Sequence, residues 1–214
     1  MSKVVDAFLE HLHEPESVML SRRTGTERGP LATFPICHHL GPPATKEHLA
    51  RLRSIESLPP ELVELWSKHD GMLLYCDAKF PPDRLYSLRE RQADSEGLVN
   101  DSSFLRFERI ADWNDRRKDA AWLNELGKLG FTKLDGVPFA STSHASEAFF
   151  WAPDGVHLFE NHGRHKRVAK TFAAFLRWLV KAPVEVMESS AVSRFYRGDH
   201  QYYPVEFASA RRQR

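Results

Sequence analysis

The residues best suited to chemistry in this sequence are its eleven histidines, three of which cluster near residue 160. His157, His162 and His165 lie close together, with Glu160 between the first two. Imidazole nitrogens and carboxylates are ligands that zinc commonly takes. A glycine-containing loop between them gives the side chains no common direction, so this spacing defines no coordination geometry. We therefore expect no metal site and interpret the segment as the polar exit of a hairpin, with His157 on a sheet face.

The remaining candidate nucleophiles are two cysteines and a serine-containing turn. Cys37 precedes His38 and His39, but neighbouring side chains of an extended chain point in opposite directions. Cys76 has no histidine beside it, and we interpret both cysteines as structural residues. Residues 141–144 combine two serines with a histidine, without an acid partner or an oxyanion donor in the motif. No catalytic nucleophile is predicted from these residues.

The sequence signatures of the common enzyme classes are absent. No two glycines have the G-x-G spacing of phosphate-cradling loops. G-x-S-x-G, H-E-x-x-H, C-x-x-C and calcium-loop patterns are also missing. We therefore expect a protein that is not an enzyme and that has no catalytic residues and no cofactor.

The charge balance indicates which partners to expect. The 214 residues include 30 Lys and Arg against 29 Asp and Glu, a formal net charge of +1. The densest basic run, between Arg164 and Lys170, is interpreted as a solvated loop that leads into a helix. We expect no nucleic-acid partner, because neither this run nor the terminal arginines gives the chain a basic excess. Any partner contact is then expected to depend on shape and apolar surface more than on net charge.

The amino-terminal sequence and the cysteine content predict a cytoplasmic protein. Residues 1–17 have one early lysine, a short mixed apolar stretch and acidic residues along their length, and they resemble neither a signal peptide nor an anchor. No uncharged apolar run approaches the roughly 18 residues of a membrane helix, so we expect no membrane contact. Two cysteines are too few for a disulfide scaffold, which favours a reducing compartment.

The chain divides into three predicted regions. Residues 1–44 form an extension with an amphipathic helix, followed by an irregular stretch and a Gly-Pro-Pro linker at 41–43. Residues 45–182 carry most of the periodic signal and form the main domain. Residues 183–214 form a carboxy-terminal extension that is partly docked and ends in a frayed basic segment.

The strongest local signal is a β-hairpin over residues 148–159. Asp154-Gly155 lies between two aromatic-rich runs, which is typical of a two-residue hairpin turn. With that turn, Trp151 pairs with Leu158 and Phe150 pairs with Phe159. One face then carries Phe149, Trp151, Val156 and Leu158, and the other carries Phe150, Ala152, His157 and Phe159. Because both faces are apolar, either the hairpin is sandwiched in the core or one aromatic face is presented to a partner.

Three segments, in order, resemble the SUKH superfamily, the Smi/Knr-type domain. The first is Leu58-Pro59-Pro60-Glu61-Leu62, continuing through Trp66 to Asp70-Gly71. The second is Val137-Pro138-Phe139-Ala140, followed by the aromatic hairpin. The third is Thr171-Phe172-Ala173-Ala174-Phe175-Leu176, similar to the closing helix of that family. The resemblance covers about 45–182, roughly two-thirds of the chain.

This resemblance implies an α+β fold, with a single mixed or antiparallel sheet and helices packed on one side. It also implies a binding protein, because bacterial members are typically intracellular immunity proteins. Each neutralises a polymorphic or contact-dependent toxin, often a nuclease or deaminase encoded nearby. The alternative is a regulatory or scaffold module with an endogenous partner, as in fungal relatives. For partner contact we predict the sheet face without helices, with Phe150, Trp151, His157 and Phe159 as candidate residues; the competing interpretation places these rings in the core.

Overall fold

Fifteen elements of secondary structure are present in the part of the chain that the computed structural model describes. That part comprises residues 2–13, 17–23, 25–26, 28–53, 58–78, 105–107, 109–110, 123–124, 127–128, 130, 136–142, 148–160, 164–189, 195–197 and 200–209. The helices are α1 (Lys3–Leu12), α2 (Lys46–Arg53), α3 (Pro60–Lys68), α4 (Phe172–Lys181) and α5 (Pro183–Ser189). The strands are β1 (Ser17–Arg23), β2 (Ala32–Leu40), β3 (Met72–Asp77), β4 (Leu105–Phe107), β5 (Val137–Thr142), β6 (Ala148–Ala152), β7 (Gly155–Glu160), β8 (Arg164–Ala169), β9 (Phe195–Arg197) and β10 (His200–Ser209).

The strands form one antiparallel sheet in the order β8-β7-β6-β5-β4-β3-β2-β1-β10-β9. Strands β1 to β8 are neighbours in chain order, and β10 returns to pair with β1. The helices contact one another, with α1 and α3 both packed against α4. This architecture confirms the predicted α+β class and shows that the sheet is antiparallel. No helix in the described ranges combines the length and apolar composition needed to span a membrane.

The helices begin where the sequence places capping residues. The Thr171 hydroxyl accepts a hydrogen bond from the Ala174 N–H at 3.1 Å, as expected of an N-cap. Thr45 accepts from His48 N–H in the same way before α2. Pro60 occupies the first turn of α3, where its missing N–H has no consequence. Capping threonines and a first-turn proline thus mark the starts of these three helices.

The core lies between the helices and one face of the sheet. Its helical residues are Val5, Phe8, Leu9, Leu12, Leu62, Leu65, Trp66, Phe172, Phe175, Leu176 and Leu179. They recur at three- and four-residue steps, which places them on one side of each helix. The opposing strand residues include Met72, Phe107, Phe139, Phe149 and Leu158. The periodicity of apolar residues along α3 and α4 therefore accounts for which side of each helix is buried.

All three predicted regions contribute to this one sheet. Two strands, β1 and β2, occupy the stretch after α1 that we predicted to be irregular, so that prediction is wrong. The missed signal is the run from Ser17 to Arg23, which pairs with β10 along its whole length. Helix α1 is also tied to α3, because Lys68 Nζ donates to Asp6 Oδ1 at 2.6 Å. The predicted boundaries at 44 and 183 are thus not boundaries of the sheet.

Strand β2 changes partner halfway along its length. Residues Ala32 to Pro35 pair with β1, whereas Ile36 to Leu40 pair with β3. Pro35 lies at the change and has no N–H to contribute to either ladder. Its carbonyl accepts a hydrogen bond from Ala78 N–H at 2.9 Å. Strand β2 therefore joins the β1-β10-β9 ladder to the β3–β8 meander.

A bulge lies immediately beyond this change of partner. Cys37 pairs with Cys76 and His39 with Leu73, so His38 faces two residues of β3. Tyr75, one of those two, has a left-handed backbone with φ 58°. Its N–H donates to His38 Nδ1 at 3.1 Å, and its hydroxyl donates to the Leu179 carbonyl of α4 at 3.2 Å. The bulge thus fastens the middle of the sheet to α4.

The predicted hairpin is confirmed, but its turn is displaced by one residue. Ala152 pairs with Gly155, so Pro153 and Asp154 form the turn, and Trp151 pairs with Val156. The predicted Trp151–Leu158 and Phe150–Phe159 pairs are wrong. The predicted face sets are correct, because the displacement changes each partner by two positions and side chains alternate with a period of two. The reason for the displacement is the contact that Gly155 makes with β8.

We predict that Gly155→Ala destabilises the fold. Gly155 has φ +141°, and a Cβ there would lie 2.2 Å from the Ala169 carbonyl oxygen. Both strain and overlap oppose alanine, so the free energy of unfolding should fall by about 3 kcal/mol. Gly127→Ala is the matched control, because nothing lies within 4 Å of its Cβ position. Urea unfolding of both variants provides the measurement, and equal stabilities would contradict the proposed overlap.

We predict that stability declines between neutral pH and pH 4 because of His38. Burial, followed by the charges of His11, His39 and His13, lowers the pKa of His38 from 6.5 to about 4. The unfolded chain therefore binds a proton at His38 more readily than the folded chain does. The stability that neutral His38 contributes above pH 6.5 is lost as the pH falls through about 4. The loss should be about 2 kcal/mol for this partly buried group.

The variant His38→Asn tests this assignment. Asparagine keeps an acceptor for Tyr75 N–H but does not titrate in this range. Unfolding free energies measured above pH 6.5 and near pH 4 should differ less for the variant than for the original chain. An unchanged difference would assign the pH dependence to other groups.

Candidate functional site

The candidate site lies on the sheet face opposite the main core, where β6, β7 and β8 meet. Ala148, Phe150 and Ala152 form a small buried cluster there, separate from the main core. Phe159 of β7 is half-buried and packs against that cluster. Alternation along β6 explains the arrangement, because Phe149 between them faces the helices. The hairpin therefore has apolar contacts on both faces.

Three aromatic rings stack across the three strands. The Phe150 and His157 rings lie 5.1 Å apart at an interplanar angle of 21°. The His157 and His165 rings continue the stack, 5.7 Å apart at 22°. Phe150 and His157 are directly opposite in the ladder, and His165 is on the neighbouring strand β8. The stack thus runs from a buried phenyl ring to an exposed imidazole at the sheet edge.

The hairpin turn supplies a carboxylate to this stack. His157 Nε2 donates to Asp154 Oδ1 at 2.8 Å, and Arg167 Nη1 donates to Asp154 Oδ2 at 3.4 Å. Burial tends to raise the pKa of Asp154, but the hydrogen bond and charge of His157, with the charge of Arg167, outweigh it and lower the pKa. Asp154 thereby fixes the ring orientation of His157 and links the turn to β8.

The predicted partner-binding residues are mostly interior. Phe150 is 0% exposed and His157 is 4% exposed, so neither presents a surface to a partner. Trp151 faces the helices and packs against the main core. Only Phe159 retains partial exposure on the predicted face. The structure therefore favours the core interpretation of these rings over an exposed aromatic anchor.

Exposed cations, rather than aromatic rings, occupy the edge beside this stack. Strand β8 exposes His165, Lys166 and Arg167, in a segment that we predicted to be a loop. Lys170 follows at the start of α4, and Arg177 and Lys181 are exposed four residues apart on that helix. We call Lys166, Arg167, Lys170, Arg177 and Lys181 the basic rim. Little in the sequence marks this run as a strand, because three consecutive polar residues are exposed before Val168 and Ala169 pack against the core.

The other candidate residues from the sequence are dispersed. His162, Ser143 and His144 lie outside the described residues. Ser141 is buried in β5, where it pairs with the equally buried Arg106 of β4. Sequence reasoning did not anticipate a buried arginine, since Arg106 differs from its exposed counterparts only by lying in a central strand.

The histidines near Cys37 are divided between the two faces of the sheet. His39 Nε2 lies 3.6 Å from Cys37 Sγ, on the face away from the helices. His38 instead stacks edge-on against Tyr75, with ring centroids 5.0 Å apart. Within the described ranges, no group of three or more His, Cys, Asp or Glu side chains is placed to hold a metal ion.

We predict that Phe150→Ala lowers the free energy of unfolding by about 3–5 kcal/mol, as expected when a fully buried phenyl ring is removed. Leu31→Ala is the control, because Leu31 is 39% exposed and its truncation should change stability by less than about 0.5 kcal/mol. Thermal or urea unfolding provides the comparison. A near-neutral effect at Phe150 would restore the anchor interpretation.

Comparison with known proteins does not assign this site. No protein-family model matches the chain, and no curated protein or solved structure matches it. The resemblance of the three segments described above therefore depends on their own residues. The observations that bear on function are the burial of the aromatic stack and the exposure of the basic rim.

Proposed function

We propose that this chain is a non-enzymatic binding protein, specifically an immunity protein. It binds a toxin domain encoded nearby, of nuclease or deaminase type, and blocks its active site. The observation that carries the proposal is the convergence of the three SUKH-like segments on one core. The first segment forms α3 and ends at Gly71, immediately before β3; the second forms most of β5 and leads to the hairpin, and the third begins α4.

The convergence is made by aromatic contacts between the segments. The Phe139 ring of β5 lies 5.0 Å from Phe172 and 5.4 Å from Phe175, both in α4. Phe149 of the hairpin reaches the same Phe175 ring at 5.1 Å. Trp66 of α3 is buried in the same cluster. Motifs that are separated along the chain thus pack into one hydrophobic core. This packing supports the interpretation that they belong to one domain.

The basic rim is the surface that we assign to the partner. Large hydrophobic side chains that are exposed in the described ranges are limited to Leu31 and Val205. We expected partner contact to depend on exposed apolar surface, and these two side chains do not provide such a surface. The rim instead places five exposed cations on β8, just before α4 and along α4, in a chain whose formal net charge is +1, although Arg167 is also bonded to Asp154. Such a local excess fits an acidic face of a toxin domain.

The architecture behind the rim keeps its cations in place. Strand β8 is the last strand at its end of the sheet, and α4 packs against it. The stack of Phe150, His157 and His165 connects β8 to the interior. A rigid support reduces the conformational entropy that a binding surface loses on association. The buried rings thus contribute to binding as positioning residues.

Co-expression tests the function directly. The chain should restore growth of cells that express the toxin domain encoded beside it, and purified toxin should form a complex with it. Absence of rescue against every neighbouring toxin domain would contradict the proposal. A complex with an endogenous protein, together with no rescue, would favour the regulatory or scaffold alternative.

We predict that Arg177→Glu/Lys181→Glu weakens toxin binding at least about tenfold and makes it less sensitive to salt, because rim charges accelerate association. Lys46→Glu/Arg51→Glu is the matched control, since it changes the net charge equally at exposed positions on α2. Binding is measured by calorimetry or interferometry at two salt concentrations. Equal losses for both double variants would show that the rim is not the contact surface.

A further inference from the structure

The two cysteines of the chain face each other across neighbouring strands. Cys37 of β2 and Cys76 of β3 are direct partners in the antiparallel ladder, so their side chains lie on the same face of the sheet. Both are thiols and not parts of a disulfide. Cys37 is partly exposed, whereas Cys76 is buried. The Cys37 thiol is therefore accessible to a small reagent, and the Cys76 thiol lies beside it in the interior.

The register gives the Cα atoms of Cys37 and Cys76 a separation that a disulfide can span. Direct partners in an antiparallel pair have Cα atoms about 4.5–5.5 Å apart, and disulfides join Cα atoms about 4.4–6.8 Å apart. The Cβ atoms of such partners are about 4.5–5.5 Å apart and must approach by up to about 1 Å to form the bond. The bulge next to Cys37 and Cys76 interrupts the ladder and allows that adjustment.

An imidazole accompanies the exposed thiol. His39 Nε2 lies 3.6 Å from Cys37 Sγ. An imidazole at this distance accepts the thiol proton and stabilises the thiolate, which is the nucleophilic form of cysteine. Cys76 is buried, whereas Cys37 is partly exposed. The arrangement thus separates an attacking thiol, Cys37, from a resolving thiol, Cys76.

We propose that Cys37 and Cys76 form a reversible oxidation site for hydrogen peroxide. The Cys37 thiolate attacks the terminal peroxide oxygen, the O–O bond breaks, and hydroxide leaves and takes up the proton held by His39. Cys37 is then a sulfenic acid. The Cys76 sulfur attacks the Cys37 sulfur, the S–O bond breaks, and hydroxide leaves with the Cys76 proton as a second water. Two thiols are oxidised by two electrons while one hydrogen peroxide is reduced to two waters.

The position of this bond in the fold gives the modification a consequence. Cys37 lies two residues beyond Pro35, where β2 exchanges β1 for β3. A disulfide at this point joins β2 covalently to β3, so the β1-β10-β9 ladder and the β3–β8 meander can no longer separate there. A dithiol reductant reverses the bond, as expected of a transient disulfide in a reducing compartment.

Oxidation of the purified reduced chain with hydrogen peroxide tests the proposal. Intact mass spectrometry should show the loss of two hydrogens, and a non-reducing digest should contain the Cys37–Cys76 cross-linked peptide. The rate constant for disulfide formation should be independent of protein concentration, as expected of a bond within one chain. Dithiothreitol should restore the reduced mass. The melting temperature should rise on oxidation and return on reduction.

Three variants assign the roles of the residues. Cys37→Ser should abolish disulfide formation, and Cys76→Ala should stop at a sulfenic acid that dimedone labels. His39→Asn should slow oxidation about tenfold at an unchanged melting temperature. Phenylarsine oxide, which requires two adjacent thiols, should bind the reduced chain in a one-to-one complex and should not bind either cysteine variant tightly.

Three results would overturn the proposal. One is an unchanged mass after peroxide treatment of a chain whose Cys37 reacts with iodoacetamide. Another is a disulfide between two copies of the chain that replaces the internal bond. The third is failure of the reduced chain to bind phenylarsine oxide, which would show that the thiols are too far apart.

Discussion

The structure depends on the hydrogen-bonding capacity of one strand, β2. Strand β2 is paired with β1 on one edge over its first half and with β3 on the other edge over its second half, and buried backbone N–H and C=O groups require such partners. Pro35, at the change of partner, has no N–H to donate to either neighbouring strand. The bulge that follows lets Tyr75 leave the ladder and reach α4. The order of strands in the sheet and the packing of α4 against it thus depend on β2.

The two faces of the sheet have different chemistry as a result. The face against the helices is filled by apolar and aromatic rings, whose contacts are non-directional. The opposite face contains polar groups in its interior, including Arg106, Ser141 and His157. Polar groups in such positions require fixed partners, and the pairing of His157 with Asp154 is one example. Directional contacts on this face define the ring stack and, through it, the position of the edge strand.

Local rules predicted a large part of this fold from the sequence. The caps at Thr45 and Thr171, the buried side of α4 and the face sets of the hairpin follow from periodicity and capping alone. The turn residues were missed because the contact of Gly155 with Ala169 comes from a strand farther along the chain.

Strands β1 and β2 were missed for a similar reason. Their polar residues and prolines resemble a linker, and only pairing with β10 and β3 makes them strands. The candidate site shows the same limit. The sequence identified Phe150 and His157 as neighbours on one face, but their burial and the exposure of β8 depend on tertiary packing.

The pairing of β1 with β10 has a consequence for the order of folding. Strands β3 to β8 each pair with the strand that precedes or follows them in the chain, so none of these ladders waits for the strand at residues 200–209. Strand β1 has β2 as its early neighbour, but its other edge stays uncovered until β10 has been synthesised. During translation the outer edge of β1 therefore stays open until the chain has been synthesised through residue 209, and such open edges are where chaperones bind and misassembly begins.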